Sequence, residues 1–168
     1  ENFFSSLPEL QSIDETPSRH YVRSHQKLKI NLPRQLKSHD METFVKTSIE
    51  DGIGQVVLNR PDKRNALTRD MIQQLQAGFD TLAQNDSLRL IVLKAEGSVF
   101  CAGMDLGEMQ DRALSNDGQA EWQKDSEVYA SCLQTIFEIE VPTIAVMQGP
   151  TLAGGVGMVL ACDFILAS

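Results

Sequence analysis

Apolar and polar positions show no sustained period over residues 1–40, where Pro8, Pro17 and Pro33 interrupt any helix, and become regular from Phe44 onward. Residues 44–49 and 53–59 read as two strands, and the Asp51-Gly52 pair between them is a strong hairpin signal. After a polar loop, Thr68 stands where it can cap a helix whose Met71, Ile72, Leu75, Phe79 and Leu82 recur at three- and four-residue spacing. Residues 90–93 form a short buried strand. Trp122, Tyr129, Leu133, Ile136 and Phe137 predict another helix, which must stop before Val141-Pro142. A strand at residues 143–147 follows, then a glycine-rich turn at 149–157, a helix through 158–161 and a last strand at 164–167. Strands separated by helices imply βαβ crossovers and an α/β fold. The pattern ends on that strand with no helix to cover it, as expected of an incomplete domain.

The change of pattern divides the chain into an extension or linker at residues 1–40 and a folded part at residues 41–168. Arg19 to Lys37 contains six basic residues and no acidic one, as an interaction tail would, but Glu1, Glu9, Asp14 and Glu15 precede it, and transit peptides are poor in acids. Met41-Glu42-Thr43 lies directly before the first strand, so an open reading frame starting at Met41 is expected, with residues 1–40 a fused or alternative upstream segment.

Charge narrows the partners. The formal charge of −8 is uneven: residues 1–40 hold six Lys/Arg and five Asp/Glu, and residues 41–168 hold nine and eighteen. A strongly acidic folded part excludes general attraction to nucleic acid, so an anionic ligand needs a local basic cluster and backbone N–H groups. No apolar run approaches the ~20 residues of a membrane-spanning helix, so no membrane partner is expected. Cys101, Cys132 and Cys162 form no CxxC pair and read as small buried hydrophobes in a reducing compartment. The cytoplasm is the expected location, with the mitochondrion or another organelle left open. His20, His25 and His39 lack acidic or thiol partners at ligand spacing, so no metal is expected.

Three loops carry the candidate chemistry. Arg60-Pro61-Asp62-Lys63-Arg64-Asn65-Ala66-Leu67 is a basic loop between a strand and a helix, where Lys63 and Arg64 could pair with phosphates. Phe100-Cys101-Ala102-Gly103-Met104-Asp105-Leu106 follows a strand and opens a helix; its small residues let a ligand approach the backbone, and Asp105 also suits a helix cap. Gly149-Pro150-Thr151-Leu152-Ala153-Gly154-Gly155-Val156-Gly157 again joins a strand to a helix and is neither a GxGxxG nor a P-loop. Asp105, Glu108 and Asp111 read as solvated helix charges. Ser98, Ser115 and Ser131 lie in no G-x-S-x-G elbow, which leaves a serine hydrolase unsupported.

In order and spacing, these three segments, with Cys162-Asp163, closely resemble the enoyl-CoA hydratase/isomerase (crotonase) family from about residue 45 to the end. The resemblance implies a spiral of ββα units, incomplete at the C-terminus, assembling as a homotrimer or hexamer. It implies an acyl-CoA substrate, with coenzyme A part of the substrate rather than a separate cofactor. Lys63 and Arg64 would lie near the CoA phosphates and the Ala66 backbone near its adenine or pantetheine, and Ala102, Asp105 and Leu106 would also contact the CoA thioester substrate. The backbone N–H groups of Met104 and Gly154 would form an oxyanion hole and stabilise a thioester enolate, each donor contributing about 2.7–4 kcal/mol. Hydratases of the family use two glutamates; Gly157 occupies the position of the first, and the second falls beyond residue 168. Without a side chain Gly157 cannot activate water, which favours a one-carboxylate reaction such as double-bond isomerisation over hydration. The alternative is a non-catalytic acyl-CoA-binding or assembly partner of the same fold.

Overall fold

The computed structural model describes residues 42–168. The extension at residues 1–40 and the expected start at Met41 lie outside the described residues. From Val45 the chain runs β1 (Val45–Glu50), β2 (Ile53–Leu58), a 3-10 turn (Pro61–Lys63), α1 (Arg69–Ala83), β3 (Leu90–Ala95), α2 (Leu106–Ala113), α3 (Gly118–Glu138), β4 (Thr143–Met147), α4 (Gly154–Leu160) and β5 (Phe164–Ala167). The strands form one sheet in the order β1-β2-β3-β4-β5. The β1–β2 hairpin is antiparallel and every other pair is parallel, so helices cover the crossovers of an α/β fold, as the apolar pattern predicts.

Asp51 and Gly52 both take positive φ, 49° and 76°, the geometry of a tight hairpin turn whose twist matches its strands. Alternate residues of β2 and β3 turn one face inward, so Val56, Leu58, Ile91 and Leu93 meet Met71, Ile72, Leu75, Phe79 and Leu82 of α1 in a fully buried layer. Each of these side chains contributes about 1.5–3 kcal/mol on leaving water, which makes this layer the main source of stability. Thr68 caps α1 as expected, its hydroxyl oxygen accepting from the Met71 N–H at 3.1 Å.

Two expectations need correction. The last helix begins at Gly154 rather than Met158, because the glycines that were read as a turn take helical geometry. The helix predicted from Trp122 to Phe137 is α3: Ile136 is buried with Asp125 and Cys132, Tyr129 and Leu133 pack against the core, and Trp122 and Phe137 are 47% and 77% exposed. Glu108 is not a solvated helix charge: it pairs with Arg112 at 2.6 Å and accepts from the Arg69 backbone N–H at 2.9 Å. On β5, Phe164, Ile165 and Leu166 remain 59%, 43% and 58% exposed, leaving an apolar edge among the described residues.

Candidate active site

The three glycine- or basic-rich loops leave the C-terminal ends of β2, β3 and β4, neighbouring strands of the parallel part of the sheet. That edge is where open α/β sheets generally place their ligands. Backbone bonds stitch the loops side by side. The Leu67 N–H donates to the Gly103 oxygen at 2.8 Å, and the Asp105 N–H returns to the Leu67 oxygen at 2.9 Å. On the other flank, the Phe100 N–H reaches the Pro150 oxygen at 3.0 Å and the Leu152 N–H reaches the Cys101 oxygen at 2.9 Å.

This stitching decides where Met104 points. With Gly103 and Asp105 both bonded to Leu67 in a parallel bridge, the intervening Met104 N–H faces away from Leu67. Gly154 opens α4, whose first amides have no intrahelical acceptor. Among the described residues, neither the Met104 nor the Gly154 N–H donates to a protein acceptor. Ala153, just before α4, sits at φ 44° and ψ −116°, a strained geometry that turns the chain sharply into the helix. Gly103 takes φ 90°, and a Cβ there would lie 2.9 Å from the Ala153 Cβ and 3.5 Å from the Gly154 nitrogen, so only glycine lets the second and third loops meet.

A cavity of about 340 Å³ is lined by Met104, Met109, Trp122, Asp125, Ser126, Tyr129 and Gly154. The Tyr129 hydroxyl donates to the Gly154 carbonyl oxygen. Burial, with further contributions from Cys101 and Cys132, pushes the Tyr129 phenol up to about 12, so it stays protonated at neutral pH. Asp125 is held by Arg69 at 2.5 Å and by Arg112, which commits its carboxylate to the junction of α1, α2 and α3.

The remaining residues singled out from sequence separate into two groups. Lys63 and Arg64 are exposed, and Lys63 lines a polar cleft of about 400 Å³ with Phe44, Asn59, Arg60 and Asp62. Ala66 and Ala102 are half-buried with their N–H groups bonded to the Lys63 and Arg64 oxygens, each at 3.0 Å. Asp105 is the N-cap of α2, accepting from Gly107 and Glu108, and it also takes the Arg60 guanidinium at 2.6 Å. Hydrogen bonding to that guanidinium outweighs partial burial and holds the Asp105 carboxyl below its ordinary value. Leu106 is 78% exposed and lies outside the 340 Å³ cavity.

Sequence reading missed the tasks of two organising residues. Asn65 is fully buried: its Oδ1 accepts from the Arg60 N–H at 2.8 Å, and its Nδ2 donates to the Glu96 and Val99 oxygens at 2.9 Å each. It joins the first loop to the second. The available signal was the residue type, since asparagine tolerates the left-handed φ of 51° taken here better than most residues. Tyr129, read only as an apolar helix position, was the other.

Known proteins resemble this arrangement in sequence and in fold. The sequence profile of the enoyl-CoA hydratase/isomerase family matches residues 48–168. "Enoyl-CoA hydratase domain-containing protein 3, mitochondrial" of Xenopus laevis is 40% identical over 71% of this chain and 39% of its own length. 4-chlorobenzoyl coenzyme A dehalogenase-2 of an Arthrobacter species is 30% identical over 78% of this chain and 47% of its own. The crystal structure of an enoyl-CoA hydratase from Bacillus halodurans superposes with a TM-score of 0.70 at 25% identity, covering 74% of this chain and 50% of that one. The chain spans less than half the length of these two sequence relatives. With the family profile matching most of its length and the fold agreeing, the chain belongs to the enoyl-CoA hydratase/isomerase family.

Proposed function

We propose that this chain carries the carbonyl-polarising part of an acyl-CoA enzyme, in which the Met104 and Gly154 N–H groups form an oxyanion hole for a thioester. The observation that carries the reading is that these two amides lack protein acceptors among the described residues and that Met104 and Gly154 both line one largely apolar cavity of a size suited to an acyl group. A thioester oxygen between them gains negative charge as a proton leaves the α-carbon, and fixed donors stabilise the enolate without reorganising. Lys63 and Arg64, exposed on the first loop, would meet the CoA phosphates. Ala66 and Ala102 would line the path between them by van der Waals contact. Asp105 would support this path through Arg60, and Leu106 would cover its outer side.

The reaction class is isomerisation or a related one-carboxylate step, because Gly157 offers no side chain to activate water. A homotrimer or hexamer is the assembly proposed. The buried, unpaired thiols of Cys101, Cys132 and Cys162 suit a reducing compartment such as cytoplasm or mitochondrial matrix. Among the described residues no helix is long and apolar enough to cross a membrane.

Mixing the full-length protein with crotonyl-CoA and, separately, with a 3-enoyl-CoA, and following enone-thioester absorbance, tests the reading. Turnover of the 3-enoyl substrate is expected. Binding of both without turnover would favour a non-catalytic acyl-CoA-binding role, the second reading that Gly157 supports.

A further inference from the structure

The space above Gly157 is occupied. A Cβ added there would run into the Tyr129 hydroxyl and would lie 3.4 Å from the ring carbon that bears it and 3.6 Å from Leu133 Cδ1. The phenol of α3 thus fills the room that a side chain at position 157 would need.

The same hydroxyl donates to the Gly154 carbonyl oxygen, and a Cβ on Gly154 would sit 3.6 Å from it. Tyr129 therefore touches α4 at two successive places while its ring walls the cavity beside Met104 and Gly154. The helix it touches needs outside support. It is seven residues long, has no side-chain bond at its N-cap, and follows the strained Ala153. A helix this short does not hold its first turn by its own hydrogen bonds, because nucleation costs more than two or three bonds return.

We propose that Tyr129 is a positioning residue of the carbonyl-polarising site: its hydroxyl, seated over Gly157, clamps the first turn of α4 so that the Gly154 N–H stays aimed into the cavity. The proposal rests on the oxyanion reading above. The clamp acts through geometry rather than proton transfer. A protonated phenol donates to the Gly154 carbonyl, and that bond constrains the peptide that follows the proposed oxyanion donor. Stabilisation by a backbone donor falls steeply with misalignment, so loss of the clamp should reduce enolate stabilisation while leaving attachment of the CoA carrier intact.

The test uses the full-length protein, unmodified and as Tyr129→Phe, with two probes: CoA, which reports attachment of the carrier, and acetoacetyl-CoA, whose enolate has its own ultraviolet band. The unmodified protein is expected to enrich the bound enolate over the free ligand at the same pH. Tyr129→Phe, which keeps the ring, is expected to lower that enrichment about tenfold and to speed hydrogen exchange at the α4 amides, with CoA affinity within about twofold. Equal enolate enrichment in the two proteins would overturn the role of Tyr129 and leave the oxyanion reading standing. Absence of enrichment in the unmodified protein would sink the oxyanion reading, and the clamp with it. If the phenylalanine variant loses CoA binding as well, the hydroxyl supports the fold at large, and the specific clamp is refuted.

Discussion

The guanidinium of Arg60 lies 2.6 Å from the carboxylate of Asp105, joining the start of the first loop to the N-cap of α2 across 45 residues of sequence. One Asp105 oxygen takes the guanidinium, and the other accepts from the Gly107 and Glu108 amides at 3.0 and 3.1 Å. The same Arg60 nitrogen also donates to the Ala66 oxygen at 2.9 Å. A single ion pair thus fixes both the path of the basic loop and the start of the helix behind Met104.

Replacing Asp105 should separate these two roles. Asp105→Ala removes cap and charge together and is expected to lower stability by about 2 kcal/mol, whereas Asp105→Asn retains a good cap and should cost about half as much. Urea denaturation of the two variants checks this. Equal losses would mean that the cap contributes nothing.

The pH dependence of that difference has a definite sign. Asp105 and Asp163 both titrate below the ordinary aspartate value of 3.8, Asp105 through Arg60 and Asp163 through the Thr143 amide and hydroxyl. A depressed folded-state pKa means that the unfolded chain binds protons first, so the stabilisation is present above the unfolded value and is lost as pH falls through the folded one. The stability gap between the unmodified protein and Asp105→Asn should therefore be constant near neutrality and close below about pH 3.8. Denaturation midpoints measured across that window test it. A gap that widens with acid would contradict the assignment.

Gly103→Ala should disrupt the meeting of the loops. At φ 90°, with the Ala153 Cβ 2.9 Å and the Leu152 oxygen 3.2 Å from the added methyl, the variant carries both backbone strain and a contact that must give way. A loss of about 2 kcal/mol is expected, with a larger loss of affinity for butyryl-CoA than for CoA in calorimetric titration. Unchanged butyryl-CoA binding would show that the second and third loops need not touch.

The apolar edge at β5 should drive self-association of the 168-residue chain. Phe164 and Leu166 are 59% and 58% exposed on a strand whose only described partner is β4. An open apolar strand edge is a template for pairing between molecules. Phe164→Lys with Leu166→Lys is expected to shift sedimentation toward smaller species without lowering the thermal midpoint by more than a few degrees. Identical sedimentation profiles would show that this edge is not the adhesive surface.

Much of the framework was legible from local chemistry. Asp51-Gly52 has the residue types a tight hairpin demands, Thr68 precedes a clear helical period, and Pro142 ends α3, so each element declares itself within a few residues. The site was legible in part. Met104 and Gly154 were named through the resemblance, and the loops that carry them do converge on one cavity. Asn65 was named as part of a motif, but its task of holding the second loop through the Glu96 and Val99 oxygens depends on residues more than 30 positions away. The spacing of Trp122 and Phe137 announced the helix correctly, but which face of α3 packs inward is set by where α1 lies, and both residues stay exposed.

The sequence by itself determined the order of strands and helices, the acidic character of the folded part, and the glycines that allow three loops to approach, because period, charge and backbone freedom are properties of neighbouring residues. Only the tertiary structure decided that the Met104 amide faces away from Leu67, that Asp125 is buried between Arg69 and Arg112, and that the Tyr129 hydroxyl fills the space over Gly157. Those outcomes depend on which distant groups satisfy each other once water is excluded, and a buried donor or charge accepts whatever partner the packing brings within reach.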